Sequence, residues 1–133
     1  FRLVGSEMCI RDSSRFDRDL FTQMIQDEAR HVSWGCKRIR YFLEHCPDRE
    51  DAIVRLHTIA DQAESAQVMN HLLNPKILEP LAVMLGGGIG QMGRGYDIIR
   101  EFWPQFTEQY LARLDGIGMP RRGRCLIPKV APF

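Results

Sequence analysis

The sequence predicts an all-α chain. Apolar residues recur at three- and four-residue steps over long stretches, caps and prolines divide those stretches into about four helices, and no segment carries the signature of a sheet. The first helix is expected from about Phe16 to Cys46, with Ser14 and Asp17 in a capping-box-like spacing. Phe21, Met24, Ile25, Val32, Cys36, Ile39, Phe42 and Leu43 mark one face, predicted to point inward. Pro47 stops this helix. Asp48 caps a second, with Glu50 and Asp51 in its first turn, where carboxylates complement the helix dipole. That helix is expected to turn Ile53, Leu56, Ile59, Ala60, Ala63 and Ala66 inward and to end near Leu73. Asn74-Pro75 is a cap followed by proline at the first helical position, so a third helix begins there. Pro80 is expected to kink or end its early turns, and Gly86-Gly87-Gly88 to close it. A fourth helix starts near Gln91 or Gly95 and reaches about Asp115, bent at Pro104, with Gly116 as its C-cap. Residues 119–133 contain Pro120, Pro128 and Pro132 and read as an extended tail. No repeat of solenoid period is present.

Composition narrows the class further. A chain of 133 residues, 44% hydrophobic and 26% charged, has room for one modest domain. A net charge of +1 argues for no nucleic-acid or membrane partner. No apolar run reaches the roughly 18 residues that span a bilayer. Cys9, Cys36, Cys46 and Cys125 form no C-x-x-C pair and no zinc-finger spacing, which fits free thiols in a reducing, cytoplasmic compartment. Leu3 to Ser13 has neither helical nor strand periodicity and resembles a translated sequencing-adaptor peptide. The alternative is a natural disordered leader. Residues 1–13 are therefore set apart from a helical domain over 14–118, and the native N-terminus, with any targeting signal, is expected to be missing.

One constellation carries specific chemistry. Glu28 and His31 lie three residues apart in a strongly helical stretch, so their side chains share a direction, and Glu28 falls within the apolar stripe. A carboxylate on a buried face is costly unless paired or metal-bound. Asp27 and Arg30 are placed to orient His31 from behind, as metal-binding histidines usually require; an ordinary surface ion pair is the alternative.

The run Met24 to Val32, followed by Gly35, resembles the metal-ligand helix of ferritin-like di-iron carboxylate proteins, which include the ribonucleotide reductase small subunit and N-oxygenase-type enzymes. Leu72-Leu73-Asn74-Pro75 and Leu81 to Gly88 are also similar to C-terminal parts of such sequences. The resemblance spans roughly residues 16–118 and implies a partial ferritin-like bundle. It also implies that Glu28 bridges two irons, that His31 binds one of them, and that the parent protein oxidises an organic substrate with O2. Two irons per complete site, or a manganese–iron pair, would be the cofactor. The substrate would be a small molecule, a lipid or an internal tyrosine. A complete site takes a glutamate from each of two helices and a Glu-x-x-His from each of two more. This sequence offers one such motif, since none of Glu64, Glu79 and Glu101 is followed by histidine three positions on. The other ligands are expected upstream, and the chain alone is expected to be inactive; a homodimer would join two motifs. The competing reading is a non-catalytic helical interaction module in which Glu28 and His31 are structural.

Four further features have plainer expectations. His57, Asp61, Glu64 and His71 on the second helix read as solvated or interfacial. Gly88-Ile89-Gly90-Gln91-Met92-Gly93 matches G-x-G-x-x-G, but a helical apolar run precedes it and Asp115, about the right distance on, ends a helical pattern, so it reads as an interhelical loop. Arg121-Arg122-Gly123-Arg124 is too short and aromatic-poor for nucleic acid. Phe102, Trp103, Phe106 and Tyr110 form an aromatic packing face, expected to stay exposed if its partner is missing.

Overall fold

The computed structural model describes the backbone of residues 15–133, and the side chains of all of these except 15–18, 21, 71, 72 and 75. The segment 1–13, the Ser14 cap and the side chains of Phe21 and His71 lie outside the described residues. The chain is all-α: α1 (Arg15–His45), α2 (Arg49–Gln67), α3 (Pro75–Gly86) and α4 (Met92–Gly116), with no strand among the described residues. No described helix is long and apolar enough to cross a membrane.

The helix starts follow from their caps. Asp48 accepts from the Asp51 backbone N–H at 3.0 Å and opens α2. Asn74 accepts from Lys76 N–H at 3.1 Å and opens α3, with Pro75 supplying a fixed φ and no orphan donor. Between them α2 widens into one π turn, Val68–Leu72, closed by Leu73 N–H to the Val68 carbonyl at 3.1 Å. Pro80 and Pro104 interrupt neither α3 nor α4; both are exposed, so water can take the carbonyl that loses its donor.

The ends of α3 and α4 differ in detail from expectation. Gly87 and Gly88 take positive φ and turn the chain through a short 3₁₀ segment, Ile89–Gln91, into α4. At the end of α4 the left-handed residue is Gly118 (φ 82°), not Gly116, which is the last helical position. Met119 N–H bonds the Leu114 carbonyl at 2.9 Å and Gly118 N–H bonds that of Asp115 at 3.0 Å, the paired pattern of a Schellman motif. Leu114 and Met119 pack in the same apolar cluster, supplying the contact that usually accompanies it.

The main core lies between α3, α4 and the last residues of the chain. Ala82, Leu85, Ile99, Trp103 and Ile127 are buried together. The two helices meet through glycine: a Cβ on Gly95 would stand 1.8 Å from the Ala82 carbonyl oxygen, and one on Gly86 2.1 Å from that of Gln91. Residues 117–133 contain no helix but are no free tail. They fold back over α4, where Trp103 Nε1 donates to the Pro128 carbonyl at 2.7 Å and Tyr96 packs on Phe133. This cover buries Trp103 and half-buries Phe102, Phe106 and Tyr110, so the aromatic face is not left exposed.

A smaller cluster ties α1 to the rest. Ala60, Ile117 and Met119 are buried with Cys36, Ile39, Leu56 and Leu114 around them, and Arg40 donates to the Gly116 carbonyl at 2.8 Å. Only the second half of α1 is covered in this way. From Asp19 to Trp34 every described side chain except Ile25 is exposed. Met24, Val32 and Phe42 of the predicted inward face are exposed, and Ile25 is only half-buried.

Candidate functional site

Two sets of polar residues compete for the functional role, and they have opposite surroundings. The first is buried between α2 and the segment after α4. Glu64, in the last turn of α2, turns toward α4 with its side chain 1% exposed, and Arg121 meets it fully buried. Glu64 Oε1 accepts from Arg121 Nε and from the Tyr110 hydroxyl, both at 2.7 Å; Oε2 accepts from Arg121 Nη2 and the Leu126 N–H, both at 2.8 Å. Arg121 uses its remaining donors on the His57 carbonyl at 3.2 Å, on His57 Nδ1 at 3.1 Å and on Asp61 at 2.5 Å. Arg124 adds a bond to the other Asp61 oxygen at 2.9 Å.

The charges follow from these contacts. Burial pushes the Glu64 carboxyl up, but the Arg121 guanidinium, Leu126 N–H and Tyr110 hydroxyl outweigh it and hold the group below the usual glutamate range. Asp61 is held down by its bonds to Arg121 and Arg124. Burial, with Arg124 and Arg121 beside it, lowers His57 below the usual histidine value. Burial, with the bond to Glu64, raises the Tyr110 phenol far above its ordinary range. The imidazole is therefore neutral at pH 7, with Nδ1 as acceptor toward Arg121.

An acid-side loss of stability is the expected result. A carboxyl whose folded value is depressed gives stability that is complete above its unfolded value near 4.5 and is lost as pH falls through the folded value. A histidine depressed below 6.5 likewise favours the folded state fully above that value, and less as pH falls beneath it. The thermal midpoint should begin to fall below about pH 6.5 and drop more steeply below about pH 4.5. In His57→Gln, which keeps an acceptor, the upper limb should disappear; circular dichroism melts across pH check this.

This network overturns one expectation: His57 and Glu64 are buried, not solvated or interfacial. The three tail arginines are all committed, Arg121 and Arg124 as above and Arg122 to Glu108 and Asp115. The network also settles what the cluster can do. Every lone pair of Glu64 that points inward already has a donor, so the group is a structural clamp with no position left for a cation. Its signal in the sequence was faint: His57, Ala60 and Glu64 share one helix face, and a charge on a face with a buried alanine needs an opposite charge from elsewhere in the chain.

The second set is Glu28 and His31. One turn apart on α1, both are exposed, and neither has a hydrogen-bond or ion-pair partner among the described residues. Asp27 and Arg30 pair with each other along the helix surface, the ordinary ion pair rather than a brace for His31. The inward direction predicted for Glu28 is not seen: from Asp19 to Trp34 every described side chain except Ile25 is exposed, so this stretch of α1 presents no buried face. A carboxylate and an imidazole supply two donors, where a di-iron centre draws on four glutamates and two histidines. Among the described residues, no three His, Cys, Asp or Glu side chains come together to hold a metal ion, and this chain's described residues do not assemble that centre.

The glycine motif keeps its plain reading: α3, not a strand, precedes Gly88, and the dinucleotide arrangement needs a strand there. Cys36, Cys46 and Cys125 are free thiols.

No family model matches the chain, and neither curated proteins nor solved structures give a match.

Proposed function

We propose that this chain supplies one Glu-x-x-His helix, through Glu28 and His31, to a ferritin-like di-iron oxidoreductase or oxygenase that uses O2 and whose remaining ligands come from outside the described residues. The observation that carries the reading is the state of that pair. Both side chains stand one turn apart on an unbroken helix, accessible and uncommitted, while His57, Asp61 and Glu64 are consumed by arginine. Residues that contribute nothing to the fold they sit on are candidates for binding. When bound, the metal pair would supply the oxidising chemistry; Glu28 would bind as a carboxylate and His31 as a neutral imidazole. The chain alone is not an enzyme on this reading.

A second reading has an observation of its own. Apolar residues along the first half of α1 are uncovered, as they would be in a helical interaction module whose partner binds that face. Cobalt(II) titration of the chain separates the two. The expected result is weak binding at less than one ion per chain, weakened about tenfold or more in Glu28→Ala and in His31→Ala, since even outer-shell partners of a ligand carry that much. Helical content should be unchanged in both variants, because both side chains are exposed. Cobalt binding that is the same in wild type and both variants would overturn the metal reading and leave the module.

A further inference from the structure

We propose that α1 pairs antiparallel with the α1 of a second copy of this chain. Leu20, Met24, Gly35 and Phe42 fall on one stripe of the helix, beside the stripe of Cys36, Ile39 and Leu43 that packs against the rest of the molecule. Leu20, Met24 and Phe42 are 43%, 54% and 50% exposed. A Cβ built on Gly35 would meet nothing within 4 Å, so another backbone can approach the helix closely at its middle. Glu28, His31 and Arg38 share this stripe, so its apolar residues stand at its two ends and its charged ones between them, and exposed apolar ends of this kind mark an interaction face.

Charge chooses the occupant and its direction. From Asp19 to Glu28 the helix carries Asp19, Asp27 and Glu28 and no lysine or arginine. From Arg30 to Arg40 it carries Arg30, Lys37, Arg38 and Arg40 and no aspartate or glutamate. Two copies laid antiparallel put each acidic half beside the other's basic half, twice over, about a two-fold axis near the middle of the helix. A parallel pair would stack like on like. The face is thus complementary to itself, which is the requirement of an isologous dimer interface. The pairing goes beyond the metal reading and needs no metal, so it is measured in the presence of chelator and its failure is separate from that of the metal reading.

Sedimentation velocity over a dilution series, with two charge-reversed variants, tests it. The wild-type chain should show a reversible monomer–dimer equilibrium that weakens as salt rises. Asp19→Lys/Asp27→Lys makes both halves basic, and Arg30→Glu/Lys37→Glu/Arg38→Glu makes both acidic. Each alone should dimerise about tenfold more weakly or worse, several exposed charge contacts being involved. An equimolar mixture of the two should recover wild-type affinity as a heterodimer. All five side chains are exposed, so the fold should survive, as far-UV circular dichroism would confirm. A wild-type chain that stays monomeric at every concentration overturns the proposal and leaves the face to another segment or a different protein. A mixture that associates no better than its components overturns it too, as does association that continues past two.

Discussion

Arg121→Ala should cost about 3–5 kcal/mol of folding stability at neutral pH, the largest effect of any single substitution outside the apolar core. The side chain itself is a small part of that loss. What dominates is Glu64, which would keep Tyr110 and the Leu126 N–H but lose its counter-charge while its side chain remains 1% exposed. Removing both ends of the pair should be far milder. Arg121→Met combined with Glu64→Met replaces two buried charges with flexible apolar chains, and stability should return to within about 1 kcal/mol of wild type. Tyr110→Phe deletes one of four donors to Glu64 and should cost about 1 kcal/mol. Urea titrations followed by far-UV circular dichroism give all three numbers. If Arg121→Ala cost less than about 1 kcal/mol, the pair would be behaving like a surface ion pair and Glu64 would have to be reached by water.

Gly95→Ala is expected to be nearly as damaging, at about 3 kcal/mol, for a reason that has nothing to do with charge. The added methyl would overlap the backbone of Ala82, with its carbonyl carbon at 2.5 Å and its Cα at 2.7 Å, and backbone cannot swing aside as a side chain can. α3 and α4 would have to part, and the contacts of Ala82, Leu85 and Ile99 would loosen with them. Gly93, two residues earlier in the same helix, is the control. Nothing lies within 4 Å of a Cβ built there, so Gly93→Ala should stabilise the chain by about 0.5–1 kcal/mol through helix propensity and a less flexible unfolded state. Opposite signs from the same chemical change would establish close helix contact at Gly95.

Local signals in the sequence were sufficient for the helices. Asp48, Asn74-Pro75 and the glycines at 86–88 mark boundaries that the structure keeps to within a residue or two, because a cap is a contact between neighbours in the chain. The phase of α2 was not legible. Its predicted inward set included Ile59, Ala63 and Ala66, all exposed, whereas the buried residues are Ala52, His57, Ala60 and Glu64. Alanine fits either environment, so it fixes no face, and the two residues that do fix it are polar ones that ordinary patterning sends to the surface. Glu64 is buried only because Arg121, 57 positions away, comes to it. The folding back of residues 117–133 was hidden for the same reason. α1 teaches the reverse lesson. Its stripe is plain in the sequence, but periodicity reports that a face is apolar and not whether anything covers it. Glu28 and His31 were legible as a pair on one side of a helix; their exposure depends on what else packs against that stretch of α1, which the pair itself cannot encode.

The clamp also imposes an order on biosynthesis. A ribosome delivers α2 well before it delivers Arg121, and until that guanidinium emerges the Glu64 carboxylate has every reason to stay in water. During this interval Glu64 has no counter-charge with which to be buried against α4. Tight packing of α2 therefore waits for the segment beyond α4, and nascent chains arrested before residue 121 should be cut by protease in regions that the released protein keeps shielded.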